Sequence, residues 1–468
     1  MFSNLILNTD SYKASHYLQY PPGTEIVSSY IEARGGQFRE VLFFGLQAFL
    51  KATLTRPITR TDIDAAAELF PAHGEPFNQS GWELILNEYG GCLPLEISAL
   101  PEGMVVPVGT AMVQVQNTDP RLFWLTGYLE TALLRAVWYP TTVATVSWQV
   151  KRLLHRYLQT TSEQPDESLA FGLHDFGSRG ASSQESAALG GMAHLLSFRG
   201  TDTVAALLAA RQYYGADMAG FSIPAAEHAT ITSWGRSGEV DAYANMLRQF
   251  ARPGALLAVV SDSYDIHNAV SQIWGQQLRR QVQESGATLV VRPDSGAPAQ
   301  IVPDVLERLY AAFGGRVNAK GYRVLSDCVR VIQGDGVDIH TLPGILESIR
   351  QAGFSTENVT FGMGAGLLQK VDRDTLSFAM KASAIRIDGQ WRDVHKQPLT
   401  DPGKTSKRGR LAVVQGAAGI ETLREEALQG RVNLLRPVYR NGELRVDEGF
   451  DTIRQRAAQG AGLSVRGQ

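Results

Sequence analysis

LAFGLHDFGSRG (residues 169–180) sets the pattern that decides the fold, because a short apolar run ends there in a cluster of Asp, Phe, Gly and Arg. Later stretches repeat this arrangement: GFSIPAAEH (220–228), LLAVVSDSYD (256–265), TLVVRPDSG (288–296), VRVIQGDGVD (329–338) and NVTFGMGAG (358–366). The segments between them carry apolar residues at helical spacing, so the pattern predicts repeated β–α units with a parallel sheet. An open doubly wound sheet also fits, but polar tips at the carboxyl end of nearly every strand favour a barrel or partial barrel.

The rest of the chain has a different pattern. Pro and Gly interrupt β-branched runs before residue 117, as in antiparallel structure, and SAIRIDGQWRDV (383–394) predicts a hairpin that turns at Asp388 and Gly389. We therefore predict an α/β protein with two discontinuous domains. A barrel-like catalytic domain takes residues 7–28, 117–129 and 164–373, and a mixed, β-rich second domain takes residues 29–116, 130–163 and 374–468.

The composition excludes several classes of protein. The 468 residues carry 44 Lys and Arg against 47 Asp and Glu, so no overall positive charge favours nucleic acid or an anionic membrane. Cys92 and Cys328 lie far apart and lack metal-ligand spacing, which argues against a disulfide framework and a structural zinc site. The first ten residues lack a basic leader, and no apolar run is long enough to span a bilayer. We expect a cytoplasmic protein.

Two glycine-rich strand tips are candidate phosphate sites. VIQGDGVD (331–338) and FGMGAG (361–366) follow late strands of the series, where parallel barrels commonly hold phosphate with backbone N–H groups. Glycine there lets the backbone approach a ligand closely. Either loop alone fits a simple tight turn about equally well, because short glycine motifs often match by chance. Their occurrence in neighbouring units favours phosphate binding.

Charged residues form a second candidate group at the same strand ends. In a barrel they meet at one mouth, where carboxylates suit ribose hydroxyls and hydrated Mg²⁺, and arginines suit phosphate or a carbonyl oxygen. A single aspartate at such a position is more often a turn or cap residue, but several together favour a ligand site. The members of the group are Asp262, Asp265, Asp294, Asp335, Arg179 and Arg292.

His228, in IPAAEHAT, is the third candidate. A lone histidine is more often a hydrogen-bonding group than a catalyst. This one follows a strand at the functional end, and Asp265 is placed to accept one ring N–H, which leaves the other nitrogen as a nucleophile. A histidine activated in this way can accept a phosphoryl group from ATP.

Eight ordered motifs resemble those of the nicotinamide phosphoribosyltransferases, which have the type II phosphoribosyltransferase fold. The resemblance spans nearly the whole chain, and it implies a homodimer with active sites at the subunit interface, Mg²⁺, and ATP as co-substrate. It also implies condensation of nicotinamide with phosphoribosyl pyrophosphate, giving nicotinamide mononucleotide for NAD salvage. The motifs are TDSYKASHY (9–17), HDFGSRGASSQES (174–186), FRGTDTVA (198–205), SIPAAEH (222–228), VVSDSYDIHNA (259–269), VRPDSG (291–296), IQGDGVD (332–338) and GLLQKVDRDT (366–375).

The resemblance also implies a base pocket. Phe176 and Tyr12 of the partner subunit sandwich the pyridine ring, as suits a flat, electron-poor heterocycle. Asp202 accepts a hydrogen bond from the carboxamide NH₂ and repels the carboxylate of nicotinate, while Arg292 lies near the amide carbonyl. Ser261 completes the implied pocket.

The remaining implied roles concern phosphate, ribose and ATP. Arg179, Gly364 and Ala365 bind the 5-phosphate, with Arg373 and Lys381 of the partner subunit. Asp294 and Gly334 hold the ribose hydroxyls, and Asp335 belongs to the same phosphate and ribose site. His228 is phosphorylated by ATP and oriented by Asp265, and Lys404 of the partner subunit lies towards the nucleotide phosphates.

Two alternatives to this function stay open. One is use of nicotinate, against which Asp202 argues; the other is a catalytically silent binding protein on the same scaffold. The chain departs from the family pattern at Ala365, where a glycine is usual, so a methyl group stands in the predicted phosphate loop.

Overall fold

The computed structural model describes residues 4–397, 406–417 and 419–460. The chain divides into two compact units. The first takes residues 4–145, 212–216 and 372–460, and the second takes residues 146–211 and 217–371. No helix in the described residues combines the length and apolar character that a membrane crossing requires.

Strands in the described residues are numbered in chain order. They are β1 (Thr24–Ala33), β2 (Glu40–Leu42), β3 (Leu95–Ala99), β4 (Val105–Pro107), β5 (Val113–Asn117), β6 (Leu173–Asp175), β7 (Gly200–Thr201), β8 (Leu256–Val260), β9 (Thr288–Arg292), β10 (Gly315–Val317), β11 (Arg323–Leu325), β12 (Val329–Gln333), β13 (Val359–Met363), β14 (Phe378–Ile387), β15 (Gln390–Asp393), β16 (Leu411–Gly416), β17 (Gly419–Arg424), β18 (Arg436–Arg440) and β19 (Glu443–Leu444).

The α-helices are numbered in the same way, and short 3₁₀ and π segments lie between them. They are α1 (Leu46–Phe49), α2 (Arg60–His73), α3 (Gln79–Tyr89), α4 (Leu125–Tyr128), α5 (Glu130–Thr161), α6 (Pro165–Leu169), α7 (Gln184–His194), α8 (Val204–Tyr214), α9 (His228–Thr232), α10 (Glu239–Phe250), α11 (Ile266–Asn268), α12 (Arg279–Glu284), α13 (Pro298–Phe313), α14 (Leu342–Gln351), α15 (Ala365–Leu368) and α16 (Phe450–Gly460).

A six-stranded parallel sheet, ordered β7-β6-β13-β12-β9-β8, forms the second unit. The segment 221–226 lies between the two edge strands. It makes parallel bridges to β7 at Phe221 and to β8 at Ala225, with two backbone hydrogen bonds on each side. The sheet is therefore closed into a barrel-like ring, which confirms the predicted parallel α/β architecture.

The ring interior is filled by side chains from several strands. Ala258, Val290 and Ile332 form a buried cluster against which Phe176 and Ile223 pack. These strands are almost continuously apolar, as expected when both faces of a parallel sheet are covered. Helix α13 shows the covering pattern, because its buried residues recur at helical spacing along one face: Val302, Val305, Leu306, Leu309 and Phe313.

The first unit is built on a seven-stranded sheet ordered β15-β14-β1-β5-β3-β18-β19. Every pairing in this sheet is antiparallel. The predicted hairpin is present between β14 and β15, and both Asp388 and Gly389 have positive φ, at 49° and 77°. A two-residue turn of this kind needs that conformation at both positions, which Asp and Gly tolerate well.

The observed grouping of segments differs from the predicted domain assignment. Residues 7–28 and 117–129 lie in the first unit, whereas the prediction joined them to the catalytic barrel. The reason is strand pairing, because β1 pairs with β14 and β5 over most of its length. Residues 146–163 belong to the second unit, since α5 begins in one unit and ends in the other.

Candidate active site

Polar and aromatic residues stand at the carboxyl edge of the parallel sheet. Each follows a different strand or the closing segment, so the ring brings their backbones to one mouth. In ring order they are Asp202 after β7, Phe176 after β6, Gly364 after β13, Gly334 after β12, Asp294 after β9, Asp262 after β8 and His228 after the segment 221–226.

Phe176 presents a half-buried aromatic ring at this mouth. The guanidinium carbon of Arg292 lies 5.6 Å from the centre of that ring. Glycines make the space, because a Cβ at Gly362 would overlap the ring and a Cβ at Gly334 would lie 3.1 Å from it. The ring is therefore fixed between β13, β12 and a cation, and its half-buried state leaves part of it accessible to a ligand.

A chain of charged groups runs from Arg292 to His228. Arg292 Nε and Nη2 donate to Asp294 Oδ1 at 3.1 and 2.7 Å, and the backbone N–H of Asp294 donates to Asp262 Oδ2 at 3.1 Å. His228 Nε2 lies 3.4 Å from Asp294 Oδ2 and 3.8 Å from Asp262 Oδ1. Two carboxylates therefore face the same ring nitrogen.

The partners of His228 differ from the predicted ones. The other ring nitrogen, Nδ1, lies 3.1 Å from Ser263 Oγ, whereas Asp265 caps helix α11 and accepts the backbone N–H groups of His267 and Asn268. These bonds, that of Asn268 above all, hold the pKa of Asp265 below its usual value. Because the Asp265 carboxylate caps the helix, it does not orient His228. Asp262 and Asp294 face the His228 ring in its place. The tautomer with its proton on Nε2, which faces the carboxylates, has its lone pair on Nδ1.

Ser261 is fully buried, and its hydroxyl is engaged inside the protein. Its Oγ donates to the carbonyl of Val259 at 2.9 Å and accepts the indole N–H of Trp274 at 3.1 Å. This is not the exposed hydroxyl that a direct contact with nicotinamide needs. The residue anchors the strand end that carries Asp262.

Asp202 is exposed beside the ring pocket, on the loop after β7. The hydroxyl of Ser222 donates to its Oδ1, and its own backbone N–H donates to the carbonyl of Asp175 at 3.0 Å. The Ser222 contact constrains one oxygen, and the second remains available as an acceptor.

Two further ionisable groups lie behind these loops. Asp175 is fully buried, and burial raises the pKa of its carboxyl to about 6 even though the Gly177 N–H donates to it at 2.7 Å. Burial also lowers the pKa of the neighbouring His174 ring. At neutral pH the expected forms are an ionised Asp175 and an uncharged His174.

The glycine-rich tips and Arg179 form the candidate phosphate region. Gln333 Nε2 donates to the carbonyl of Asp335 at 2.8 Å, which shapes the loop after β12. The methyl group of Ala365 lies against Gly180, because a Cβ at Gly180 would be 3.2 Å from it. Arg179 is exposed and has no ion-pair partner among the described residues.

The remaining predicted residues belong to the first unit or fall outside the described residues. Tyr12 is half exposed, with its ring edge-to-face with His16. Arg373 pairs with Asp374, and burial lowers the pKa of Lys381. Lys404 lies outside the described residues.

The carboxylates fit a shared rather than a protein-enclosed Mg²⁺ site. In the part of the chain that the structure describes, no group of three or more His, Cys, Asp or Glu side chains is arranged to hold a metal. Asp262 Oδ1 is buried and lacks a hydrogen-bond partner there, and Asp294 lies beside it. Mg²⁺ is commonly held by one or two carboxylates together with substrate phosphates and water, and this pair suits that arrangement.

Three positioning groups were missed by sequence reasoning. Ser263 and Ser222 contact His228 and Asp202, and Asp175 lies beneath Phe176. The only available signal was their place at strand ends within the quoted motifs, because serine and aspartate are common in such turns.

Comparisons with known proteins agree with this arrangement. The Nicotinate phosphoribosyltransferase (NAPRTase) family matches residues 171–443, and the N-terminal domain of nicotinamide phosphoribosyltransferase matches residues 4–97. A nicotinamide phosphoribosyltransferase of Xanthomonas campestris pv. campestris (strain 8004) is 59% identical over 89% of this chain and 88% of its own. One from Acinetobacter baylyi is 33% identical over 96% of each chain.

Solved structures share the fold at lower sequence identity. Nicotinate-nucleotide pyrophosphorylase from Pyrococcus furiosus superposes with a TM-score of 0.63 at 16% identity, covering 99% of this chain and 97% of its own. Human nicotinic acid phosphoribosyltransferase gives 0.55 at 20% identity, covering 98% and 94%. The chain therefore belongs to the nicotinamide phosphoribosyltransferase family, has the type II phosphoribosyltransferase fold, and is a pentosyltransferase.

Proposed function

We propose that this chain condenses nicotinamide with 5-phosphoribosyl 1-pyrophosphate, releasing pyrophosphate and nicotinamide mononucleotide for NAD salvage. The observation that carries the proposal is that Phe176 and Asp202 directly follow the paired strands β6 and β7, with the backbone N–H of Asp202 donating to the carbonyl of Asp175. An aromatic face suits the pyridine, and a carboxylate acceptor suits an amide NH₂ while repelling a carboxylate. The 59% identical relative bears the name of this activity.

In the proposed mechanism the protein supplies geometry and charge. The pyridine nitrogen attacks the anomeric carbon as the bond to pyrophosphate breaks, through an oxocarbenium-like transition state. Phe176 and Tyr12 of the partner subunit hold the ring, Asp202 binds the carboxamide NH₂, and Arg292 approaches its carbonyl oxygen. Preorganised groups of this kind lower the barrier by orienting the reactants and by stabilising developing charge.

Ribose and phosphate occupy the other side of the mouth. Asp294, Gly334 and Asp335 hold the ribose hydroxyls. Asp262 and Asp294 would hold Mg²⁺ together with substrate oxygens, and the bound ion would supply positive charge for the departing pyrophosphate. The 5-phosphate is bound by Arg179 and the backbone of Gly364 and Ala365, joined by Arg373 and Lys381 of the partner subunit. The active form is then a homodimer.

His228 couples ATP to the reaction. A bond forms between phosphorus and the Nδ1 lone pair as the bond to ADP breaks, and later hydrolysis returns the free ring. Asp294 and Asp262 face Nε2, so they stabilise the positive charge that the ring acquires. Lys404 of the partner subunit is expected near the nucleotide phosphates. We expect the reaction in the cytoplasm, which suits two unpaired cysteines.

The test measures nucleotide formation from phosphoribosyl pyrophosphate and Mg²⁺ with nicotinamide or nicotinate, with and without ATP. Wild type is compared with His228→Ala and with His73→Ala, an exposed histidine at the end of α2 that serves as the matched control. We expect product from nicotinamide, with ATP stimulation in wild type and the control and none in His228→Ala.

The other outcomes separate the alternatives. Product from nicotinate and none from nicotinamide would show that the enzyme is a nicotinate phosphoribosyltransferase. No product from either base, with wild type folded, would favour the silent binding protein. ATP stimulation that survives His228→Ala would remove the phosphohistidine from the proposal but leave the transfer reaction.

A further inference from the structure

Asp175 lies beneath the base pocket without reaching it. It ends strand β6 directly before Phe176, and it is fully buried. Its Oδ1 accepts the backbone N–H of Gly177 at 2.7 Å. A carboxylate oxygen therefore fixes the turn that presents the Phe176 ring, since the bond closes across that residue.

The second oxygen of Asp175 faces the neighbouring loop. The Thr203 backbone N–H donates to Thr201 Oγ1 at 3.0 Å, and Thr201 Oγ1 lies 3.5 Å from Asp175 Oδ2. Because Thr201 already accepts from Thr203, its own proton is directed at the carboxylate. These two contacts, from Thr203 to Thr201 and from Thr201 to Asp175, form a relay through the two residues that flank Asp202. The backbone N–H of Asp202 also donates to the Asp175 carbonyl.

The surroundings leave this carboxylate little freedom. A Cβ at Gly191 on helix α7 would lie 2.9 Å from Asp175 Oδ2, so the helix packs against it and only glycine fits. A buried carboxylate is costly compared with an apolar side chain of similar size. Packing alone does not account for it, whereas bonds to both loops of the pocket do.

We propose that Asp175 is a positioning residue for the base, which holds the ring-stacking loop of Phe176 and the amide-binding loop of Asp202 in one register. The inference rests on the proposed use of nicotinamide. Asp175 touches no reactant, so its effect is on capture of the base: either loop is free to shift when its bond to the carboxylate is lost, and the stacking and amide contacts then no longer form together.

The experiment uses four full-length variants. Asp175→Ala removes both bonds, Asp175→Asn keeps an oxygen for Gly177, and Thr201→Val removes only the relay to the Asp202 loop. Thr126→Val is the matched control, because Thr126 is a buried threonine of the first unit whose hydroxyl has no partner among the described residues. Steady-state KM for both substrates, kcat and thermal unfolding are measured for each.

The expected pattern is selective. Asp175→Ala should raise the nicotinamide KM at least about tenfold, and Thr201→Val several-fold, as for lost hydrogen bonds to a charged group. The KM for phosphoribosyl pyrophosphate and kcat should change by less than about threefold. Asp175→Asn should raise the nicotinamide KM much less than Asp175→Ala does, and Thr126→Val should match wild type.

Several results would overturn the proposal. A loss of kcat or of thermal stability without a selective rise in nicotinamide KM would show a purely structural role. Thr201→Val indistinguishable from Thr126→Val would remove the relay, and this pair decides the matter if Asp175→Ala fails to fold. Wild type inactive with nicotinamide would instead defeat the proposed function, which separates the two failures.

Discussion

The two units use their strands in opposite ways. In the parallel sheet all carboxyl ends lie at one edge, so residues far apart in sequence, such as Phe176, His228 and Asp294, converge without any special loop. In the antiparallel sheet of the first unit neighbouring strand ends alternate. Tyr12 and Arg373 lie on short 3₁₀ helices there, and Lys381 lies within β14. Strand direction gathers a site in one unit and disperses candidate residues in the other.

Buried carboxylates show the same contrast. Asp175 lies directly behind loops of the candidate site, and Asp262 lies within the site with a buried side chain. Glu102, in the first unit, accepts the backbone N–H of Gln47 and the hydroxyl of Tyr214, both at 2.8 Å. Carboxylates at the parallel edge should act on turnover or on base capture and selection, whereas Glu102 should act on stability. The following variants test this division in order of their expected effect on turnover.

The largest loss of turnover is expected from Asp294→Asn. The change replaces the carboxylate that accepts from Arg292 and faces His228 Nε2 with a neutral amide. Because both contacts lose their negative charge, kcat/KM should fall about a hundredfold or more. Asp304→Asn is the control, because Asp304 also pairs with an arginine, Arg308, but on helix α13. Equal activities of the two variants in steady-state kinetics would contradict a site at the parallel edge.

A smaller, selective effect is expected from Asp202→Ser. Removing the charge should relax discrimination against nicotinate about tenfold or more, because the anionic ring substituent no longer meets a carboxylate. The ratio of kcat/KM for the two bases measures this, with Asp217→Ser as an exposed aspartate control. If the variant rejects nicotinate as strongly as wild type, selectivity does not come from this residue.

The smallest effect on turnover is expected from Glu102→Gln, which should change kcat less than about twofold. Burial raises the pKa of Glu102 to about 7, so the folded state holds this proton more tightly than the unfolded chain. The stability it contributes is complete below about pH 4.5 and is lost as pH rises through 7, at up to about 1.4 kcal/mol per pH unit. The variant should lack this slope.

Denaturant unfolding between pH 5 and 8 tests the slope. The free energy of unfolding of wild type should fall relative to the variant as pH rises. Glu83→Gln should show the same pH dependence as wild type, because Glu83 on α3 is half-buried and the side-chain hydrogen bonds of Gln79 and Arg60 lower its pKa. A constant difference between Glu102→Gln and wild type at all pH values would contradict the assignment.

Much of the parallel unit was predictable because its signals are local and repeated. An apolar run that ends in polar residues marks each strand end in the sequence. The turn at Asp388 and Gly389 was predictable because both residue types tolerate positive φ. The segment grouping was not, because pairing of β1 with β14 joins residues hundreds of positions apart.

The partners of His228 show the limit within the site. SDSYD (261–265) offers two aspartates after one strand, and both satisfy the rule that functional residues follow strand ends. Which one faces the histidine depends on where helix α11 begins, since its first backbone N–H groups take Asp265. Pattern alone does not fix a helix start to that accuracy.

The segment 221–226 has a mechanical consequence. Neighbouring strands elsewhere in the sheet pair over consecutive residues, but this segment is attached to β7 and β8 only by isolated bridges. Strand pairing in the ring is therefore sparsest at this segment. A closed sheet opens first where its strands share the fewest hydrogen bonds. Amide hydrogens of this segment should therefore exchange with solvent sooner than those of β8 or β9. His228, the candidate phosphoryl acceptor, begins helix α9 directly after this segment, so local opening there should reach it before it reaches the fully paired strands.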